Sequence, residues 1–329
     1  MDCFDLIGKE NAVEAVLSAI KAKRLSHAIM LTGDKGVGKK TFADFLCALL
    51  TCEEKNVPCA QCPSCKKIQK GIHPDIYKIY PAGKSETIGV KEIKPIKENL
   101  YIKPNDADVK IFIIYEADRM NKYAQNAMLK MIEEPPEDCY FIFTLKNSSS
   151  LLSTVRSRAV SYNLAPATVK QCLSELKKRF ENEDIEVLLK ASELSRGNIG
   201  LGIEIVEDSK LKELYDDVLS FSKALLDKDR ALLTLCLGPY SSDKNAAVKF
   251  AEILKLTFRD AIALSCKNDE SLSGCTDAAK QISKTCSVKA CLDIMGACDR
   301  LVSAVKSNAN LALSVADFEI NVGAAVGRN

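Results

Sequence analysis

The sequence predicts a doubly wound α/β domain built on a parallel sheet, followed by helix alone. Three observations carry this expectation. Up to about residue 165, continuous apolar runs alternate with helical patterns, the order expected of strands buried on both faces and the helices that cross between them. One run and the helix after it are joined by the glycine-rich stretch Gly33-Asp34-Lys35-Gly36-Val37-Gly38-Lys39-Lys40-Thr41. Beyond Pro166 β-type runs disappear and only helical periodicity remains. These limits divide the 329 residues into an α/β domain at 1–165, a small helical domain at 166–206 and an all-α domain at 207–329.

Composition is that of an ordinary globular chain, 47% hydrophobic and 27% charged. The formal net charge of +2 advertises no nucleic acid, so such contacts would need a local basic surface or partner proteins. No window approaches the ~20 apolar residues of a membrane span, and Met1 to Asp5 lacks the basic and apolar pattern of a signal peptide. A cytoplasmic protein with no membrane partner is expected. Its fourteen cysteines should then be mostly reduced. Cys47, Cys139, Cys172, Cys236, Cys266, Cys286, Cys291 and Cys298 lie in apolar or helical contexts and read as small core residues.

Taken in order, Glu10 to Lys23 carries Val13, Val16, Leu17 and Ile20 at helical spacing, and His27 to Leu31 is the first strand. The turn after it has the composition of a phosphate-binding loop. Gly33, Gly36 and Gly38 let backbone N–H groups point inward at an anion, the N-terminus of the following helix adds partial positive charge, and Lys39 would reach outer phosphates. The pattern needs a Ser or Thr next, as a ligand of Mg²⁺. Lys40 stands there, and an ammonium ~4 Å from a divalent cation is repelled by about 4 kcal/mol per unit charge at an effective dielectric of about 20. Thr41 could substitute only by shifting one residue. The loop is that of a nucleotide site in shape with its metal chemistry in doubt; the alternative is a glycine-rich turn without nucleotide.

The helix from Phe42 to Leu50 leads to Cys52, Cys59, Cys62 and Cys65, with Pro58 and Pro63 stiffening the segment. Thiolates at this spacing can converge on Zn²⁺, and a four-cysteine site is closed to water and therefore structural. A redox CxxC or chance clustering are the alternatives. Asp75 to Tyr80 alternates like a strand, and Val90 to Tyr101 reads as a helix. Lys110 to Ile114 is an apolar run that leads into Tyr115-Glu116-Ala117-Asp118. Working phosphate-loop ATPases usually end this strand in Asp-Glu, the aspartate serving the metal and the glutamate the attacking water. Here Tyr115 takes the aspartate's place, Glu116 remains, and Asp118 comes two residues late by strand alternation. Two metal functions altered in one chain argue for a retired site, although nucleotide could still bind with a looser metal. Asn121 to Glu133 is a helix stopped by Pro135-Pro136, Cys139 to Thr144 and Ala159 to Tyr162 are strands, and Ser153 to Arg158 follows a short helical stretch. Helices at Thr168 to Phe180 and Ile185 to Leu194 and a third short one follow, then helix with breaks at Gly238-Pro239, Asn268 to Ser273 and Ser307-Asn308.

With the glycine loop, the cysteine knuckle and Leu129-Lys130-Met131-Ile132-Glu133-Glu134-Pro135-Pro136 in view, the chain resembles the clamp-loader branch of the AAA+ ATPases, with Ser157-Arg158 similar to that branch's Ser-Arg-Cys motif and Ala159 in the cysteine's place. The specific likeness covers about the first 205 residues. It implies that 166–206 is a lid domain and 207–329 a collar that holds a ring together. Within the branch the chain looks like the bacterial DNA polymerase III subunits of delta-prime type, which resemblance implies to be stationary, weakly active or inactive as ATPases, and to offer an arginine to a neighbour's nucleotide. Arg158 would be that residue in trans, Glu116 would be vestigial catalytic equipment, and Gly200 falls where an ATP-contacting arginine is found in the hydrolysing relatives. Implied partners are gamma/tau-like and delta-like subunits in a hetero-pentameric ring, the sliding clamp, and primed DNA. A structural zinc is the implied cofactor, with ATP and Mg²⁺ doubtful.

Other readings stay open at this level. The chain could be a self-sufficient gamma/tau-like motor using Lys39, Thr41 and Glu116, against which Lys40 and Tyr115 count; a phosphotransfer kinase would leave the knuckle and the helical tail unexplained. Arg158 could form a surface salt bridge. His27 and His73 read as structural, with His73 an alternative metal ligand, and Lys66-Lys67-Ile68-Gln69-Lys70 as a solvated helix face or a surface for DNA.

Overall fold

The structure is a computed structural model and describes residue 4 and residues 6–54, 58–83, 85–267 and 273–326. The chain divides into two compact units, 1–167 and 168–329.

In the first unit α1 (Glu10–Lys21), β1 (Ala28–Thr32), α2 (Lys39–Thr51), α3 (Pro63–Gln69), β2 (Ile76–Ile79), α4 (Val90–Asn99), β3 (Lys110–Ile114), α5 (Lys122–Glu133), β4 (Cys139–Leu145), α6 (Ser153–Arg156) and β5 (Val160–Asn163) follow one another. The strands form one sheet in the order β2-β3-β4-β1-β5. Every pairing is parallel, with Met30 opposite Phe143 and Ile113 opposite Ile142. All five residues of β1 and of β3 are buried, which is why these strands read as unbroken apolar runs. Alternation along β3 sends Phe112 and Ile114 into one core with Ile93, Ile96, Ala124 and Met128, and Ile111 and Ile113 into the other with Val16, Phe42 and Phe45. Each large side chain so buried contributes about 1.5–3 kcal/mol.

The expected strands are all present, and helix ends differ by a few residues. The first helix stops at Lys21 because the chain turns left-handed at Lys23 (φ 53°). Ser153 to Arg156 is itself the short helix before β5.

Two buried charges brace this unit. Lys110 donates to the carbonyls of Asn99 (3.0 Å) and Ile102 (2.6 Å) beyond the end of α4. Asp75, fully buried, accepts from the backbone N–H groups of Asn105 (2.6 Å), Asp106 (2.7 Å) and Ala107 (3.0 Å) and from the Asn105 amide. Burial alone would raise its pKa; the donors outweigh it and hold the carboxyl below its ordinary 3.8.

The second unit is helical: α7 (Val169–Arg179), α8 (Ile185–Leu194), α9 (Ile199–Glu207), α10 (Ser209–Asp227), α11 (Arg230–Leu237), α12 (Lys244–Ser265), α13 (Thr276–Thr285), α14 (Val288–Lys306) and α15 (Leu311–Val326). Thr168, Asp184, Asn198, Asp208, Asp229, Asp243 and Ser287 each cap a helix through a side-chain oxygen. One buried cluster runs from Cys172 to Val326, with Phe221 packed edge-on against Phe250 and stacked on Phe318. The breaks at Gly238-Pro239 and Ser307-Asn308 separate α11 from α12 and α14 from α15. Of the break at Asn268 to Ser273, residues 268–272 lie outside the described residues. Further breaks at Lys228, left-handed with φ 56°, and at Cys286-Ser287 escaped the sequence pattern. Cys266 is exposed in the turn after α12, a correction to its reading as a core residue; the other seven cysteines so read are buried.

Asp75 sets a pH dependence whose sign follows from its lowered pKa. Its contribution is complete above the unfolded value near 3.8 and is lost as pH falls toward the folded one. Asp75→Asn should cost about 2 kcal/mol at neutral pH, the scale of hydrogen bonds to a charged group, and flatten the acid limb. Urea unfolding between pH 3 and 7 checks this, and a variant that tracks the parent throughout would refute it.

Candidate functional site

The glycine loop joins the C-terminal end of β1 to α2. A Cβ on Gly33 would lie 2.6 Å from the Leu164 carbonyl oxygen, so only glycine permits this approach of the loop to the residue after β5. Gly38, left-handed at φ 92°, is the N-cap of α2 and supplies no side-chain cap, leaving the helix end open toward the loop. Lys39 does not extend away from the loop: its Nζ donates to the carbonyls of Gly33 (2.5 Å) and Asp34 (2.7 Å). Burial lowers its pKa, opposed by Asp118, Asp34 and Glu116. The cleft beside it, about 560 Å³, is lined by Gly36, Lys40, Glu116, Asp118, Thr144 and Lys146 among others.

Lys40 does not point its charge into a metal position as the sequence pattern implies. Its Nζ lies 5.5 Å from the ring centroid of Tyr115 and 5.8 Å from that of Tyr80. The two rings stack with centroids 4.7 Å apart and planes 17° from parallel. An ammonium over aromatic faces gains about 0.5–2 kcal/mol. The two departures from the ATPase pattern are thus one contact. Burial pushes the Tyr115 phenol well above its ordinary range, with Asp44 adding to the shift, so it stays neutral. A hydroxyl and a carboxylate that would hold Mg²⁺ are replaced by a lysine and a neutral phenol, a donor set that does not suit a hard cation. Thr41, half-buried on α2, is not among the residues lining the cleft.

Strand alternation misjudges Asp118. Pairing ends at Ile114, and Glu116 is left-handed (φ 50°) ahead of a single 3₁₀ turn over Ala117–Arg119. That reversal brings Asp118 to the cleft wall, where it accepts from the Lys146 N–H (3.3 Å). The Glu116 N–H donates to Thr144 Oγ1 (3.1 Å), and the Glu116 carboxylate pairs with Arg119 at 2.8 Å. Thr144 and Lys146 were missed by the sequence reading; their signal is position, at the end of the strand paired to both β1 and β3.

The four knuckle cysteines converge. The sulfur atoms of Cys52, Cys59, Cys62 and Cys65 all lie within 4.8 Å of one another. Tetrahedral zinc with bonds of about 2.3 Å needs sulfurs about 3.8 Å apart, and the Cys52 and Cys62 sulfurs are 4.0 Å apart. The backbone N–H groups of Cys62 and Cys65 donate to the sulfurs of Cys59 and Cys62, at 3.3 and 3.4 Å, an arrangement that stabilises thiolate. These residues fit a structural zinc with no open position. His73 is not part of the set. Its Nδ1 accepts from the Asp75 N–H (3.2 Å), so Nε2 carries the proton and donates to Ser64 Oγ (3.1 Å), which donates to Thr51 Oγ1 (2.8 Å). Desolvation lowers the His73 pKa and keeps that tautomer neutral. Of the basic run, Lys67 is paired with Asp106.

Arg158 lies between α6 and β5. Its Nη1 donates to the Thr154 carbonyl (2.8 Å) and Ser157 Oγ (3.2 Å), and its Nη2 meets a carboxylate oxygen of Glu133 at 2.9 Å. The surface salt bridge is therefore formed, with both partners exposed.

A sequence profile described as "DNA polymerase III, delta subunit" matches residues 8–168, and 46 curated proteins are significantly similar to the chain. Over residues 8–168, just under half of its length, the chain is thus similar to the clamp-loader subunits of DNA polymerase III. A "DNA polymerase III subunit gamma" of Buchnera aphidicola subsp. Baizongia pistaciae is 29% identical over 76% of this chain and 72% of the relative. The tau subunit of Bacillus subtilis is 29% identical over 70% of this chain, which spans only 40% of the relative's length. The delta' subunit of Bacillus subtilis is 26% identical over 79% of both. Among the described residues no helix is long and apolar enough to cross a membrane.

The zinc fit gives a direct expectation: purified protein should carry one zinc per chain by elemental analysis. Stripping it should unfold the knuckle, since structural zinc contributes as much as ~10–16 kcal/mol in small peptide sites. Cys62→Ser should lose the metal and protease resistance around residues 52–65, and a full complement of zinc in that variant would sink the assignment. Separately, Lys40→Ala should cost about 0.5–1 kcal/mol, the value of an exposed cation–π contact, and change the near-UV tyrosine signal. An unchanged stability and spectrum would remove Lys40 from the two rings.

Proposed function

We propose that this chain is a clamp-loader subunit of the delta-prime type, a stationary member of the ring that turns over little or no ATP itself. The observation that carries the reading is the Lys40 ammonium resting on Tyr115 and Tyr80, in the place of the two groups that would serve Mg²⁺. Glu116, engaged with Arg119, is on this reading vestigial. Arg158 would act in trans on the nucleotide of a neighbouring subunit, where an arginine finger is worth 10³–10⁵ in rate. Such a role asks for rigid placement at an edge and no metal chemistry of its own.

The remaining roles follow from this reading. Residues 1–165 would be the AAA+ module, 166–206 the lid and 207–329 the collar that joins gamma/tau-like and delta-like subunits in a cytoplasmic hetero-pentamer. That ring would load the sliding clamp onto primed DNA. A second reading, a gamma/tau-like motor, is favoured by the gamma and tau relatives at 29–30% identity; against it stands the donor set at Lys40 and Tyr115.

Titration of the zinc-replete chain with a fluorescent non-hydrolysable ATP analogue, with and without Mg²⁺, separates the two. The stationary reading expects no binding, or binding that ignores Mg²⁺, and no steady-state ATPase. In a ring reconstituted with the gamma-like and delta-like subunits, Arg158→Ala should cut turnover at least a hundredfold, a conservative share of the arginine-finger effect of about 10³–10⁵. Tight Mg²⁺-dependent binding with turnover abolished by Lys39→Ala would overturn it in favour of the motor.

A further inference from the structure

We propose that Glu133 is a positioning residue for Arg158, holding the guanidinium at one orientation on the surface before a neighbour's phosphates arrive. The inference rests on the in-trans role of Arg158. Its physical basis is the way the two side chains are fixed.

Arg158 follows α6, a helix of one turn whose last N–H groups fold back on Ser153 and Val155. Its Nη1 binds the Thr154 carbonyl and the Ser157 hydroxyl, both from that turn, at 2.8 and 3.2 Å. Those bonds alone tie one end of the guanidinium to a single short turn. The second tether comes from a different element. Glu133 is the last residue of α5, and the chain leaves the helix through Glu134 in a non-helical conformation and then Pro135-Pro136. The helix fixes the backbone of Glu133, and the two prolines restrict the chain just after it. Glu133 reaches Arg158 Nη2 at 2.9 Å. The guanidinium is held between two elements, with three of its five N–H donors engaged among the described residues and the others left for an incoming anion.

The pair is exposed, with 38% and 43% of the two side chains accessible. An exposed pair adds little to folding, and for the same reason it yields readily when a more highly charged phosphate arrives. Its effect is on orientation: an arginine already immobilised loses less side-chain freedom when it binds. Glu133 touches no reacting atom.

Two measurements test this. In the free chain, NMR of the Arg158 side chain should show slow rotation of the guanidinium in the parent and fast, averaged rotation in Glu133→Ala. In the reconstituted ring, Glu133→Ala should lower kcat for ATP about three- to tenfold, matching the ordering of one rotamer-rich side chain, with KM unchanged. Glu133→Gln, which keeps an acceptor, should recover part of the loss, and Glu133→Ala should add nothing on an Arg158→Ala background. Unrestricted rotation in the parent, an unaltered kcat in Glu133→Ala, or a Glu133 effect that persists without Arg158 would overturn the proposal. A silent Arg158→Ala would refute the in-trans reading, and the rotation measurement alone would then decide whether Glu133 fixes Arg158.

Discussion

Burial of β1 and β3 on both faces is the constraint from which the rest of the first unit follows. A parallel sheet covered on both sides offers chemistry only at the ends of its strands. With β3, β4 and β1 adjacent, the glycine loop after β1, the Tyr115 to Asp118 turn after β3 and Thr144 to Lys146 at the end of β4 must emerge side by side. The cleft is therefore a consequence of sheet order before any residue in it is chosen. What the residues decide is which anion or cation the cleft tolerates.

Much of this was legible in the sequence because the strands announce themselves. Ile111 to Ile114 is apolar without interruption since both faces of β3 are buried, and the glycine spacing ahead of Lys39 needs no tertiary context. Helix ends were legible where Asp, Asn, Ser or Thr supplies a cap, as at Thr168 and Asp184. The partnership of Lys40 with Tyr115 was not legible. Each residue was visible as a departure, yet their contact is completed by Tyr80, which follows β2 and reaches the site only because β2 pairs with β3. Asp118 was misread for a related reason: a period of two holds within a strand, and the left-handed Glu116 ends it. The partner of Arg158 also lay outside sequence reasoning, although Glu133 belongs to a motif noticed for other reasons.

The knuckle shows how a metal site and a polar network divide the work. Spacing alone pointed to four cysteines in one cluster, and their sulfurs do converge. Spacing could not say whether His73 joined them. Its two ring nitrogens are both engaged, one by Asp75 and one by Ser64, and the Ser64 bond passes on to Thr51 on α2. Thr51 ends by donating to the Cys47 carbonyl, 2.9 Å away. The histidine thereby ties α3 to α2 and to the start of β2, so a metal held by the four sulfurs would have only to close a loop whose base is already fixed.

Gly33, Gly36 and Gly38 give the loop the spacing of a nucleotide site. The packing supplies a reason for the first of them that is independent of nucleotide. Gly33 meets the Leu164 carbonyl so closely that any side chain there would strike it, and the Leu164 N–H donates to the Thr32 carbonyl at 2.8 Å. That junction closes β5 onto β1. Lys39 binds the carbonyls of Gly33 and Asp34 and so braces the same corner from within. Replacing Gly33 would force the β1–β5 edge apart whether or not a phosphate ever bound. The loop's shape is held by the sheet it terminates, while the Lys40 ammonium beside the Tyr115 and Tyr80 rings lies outside that junction.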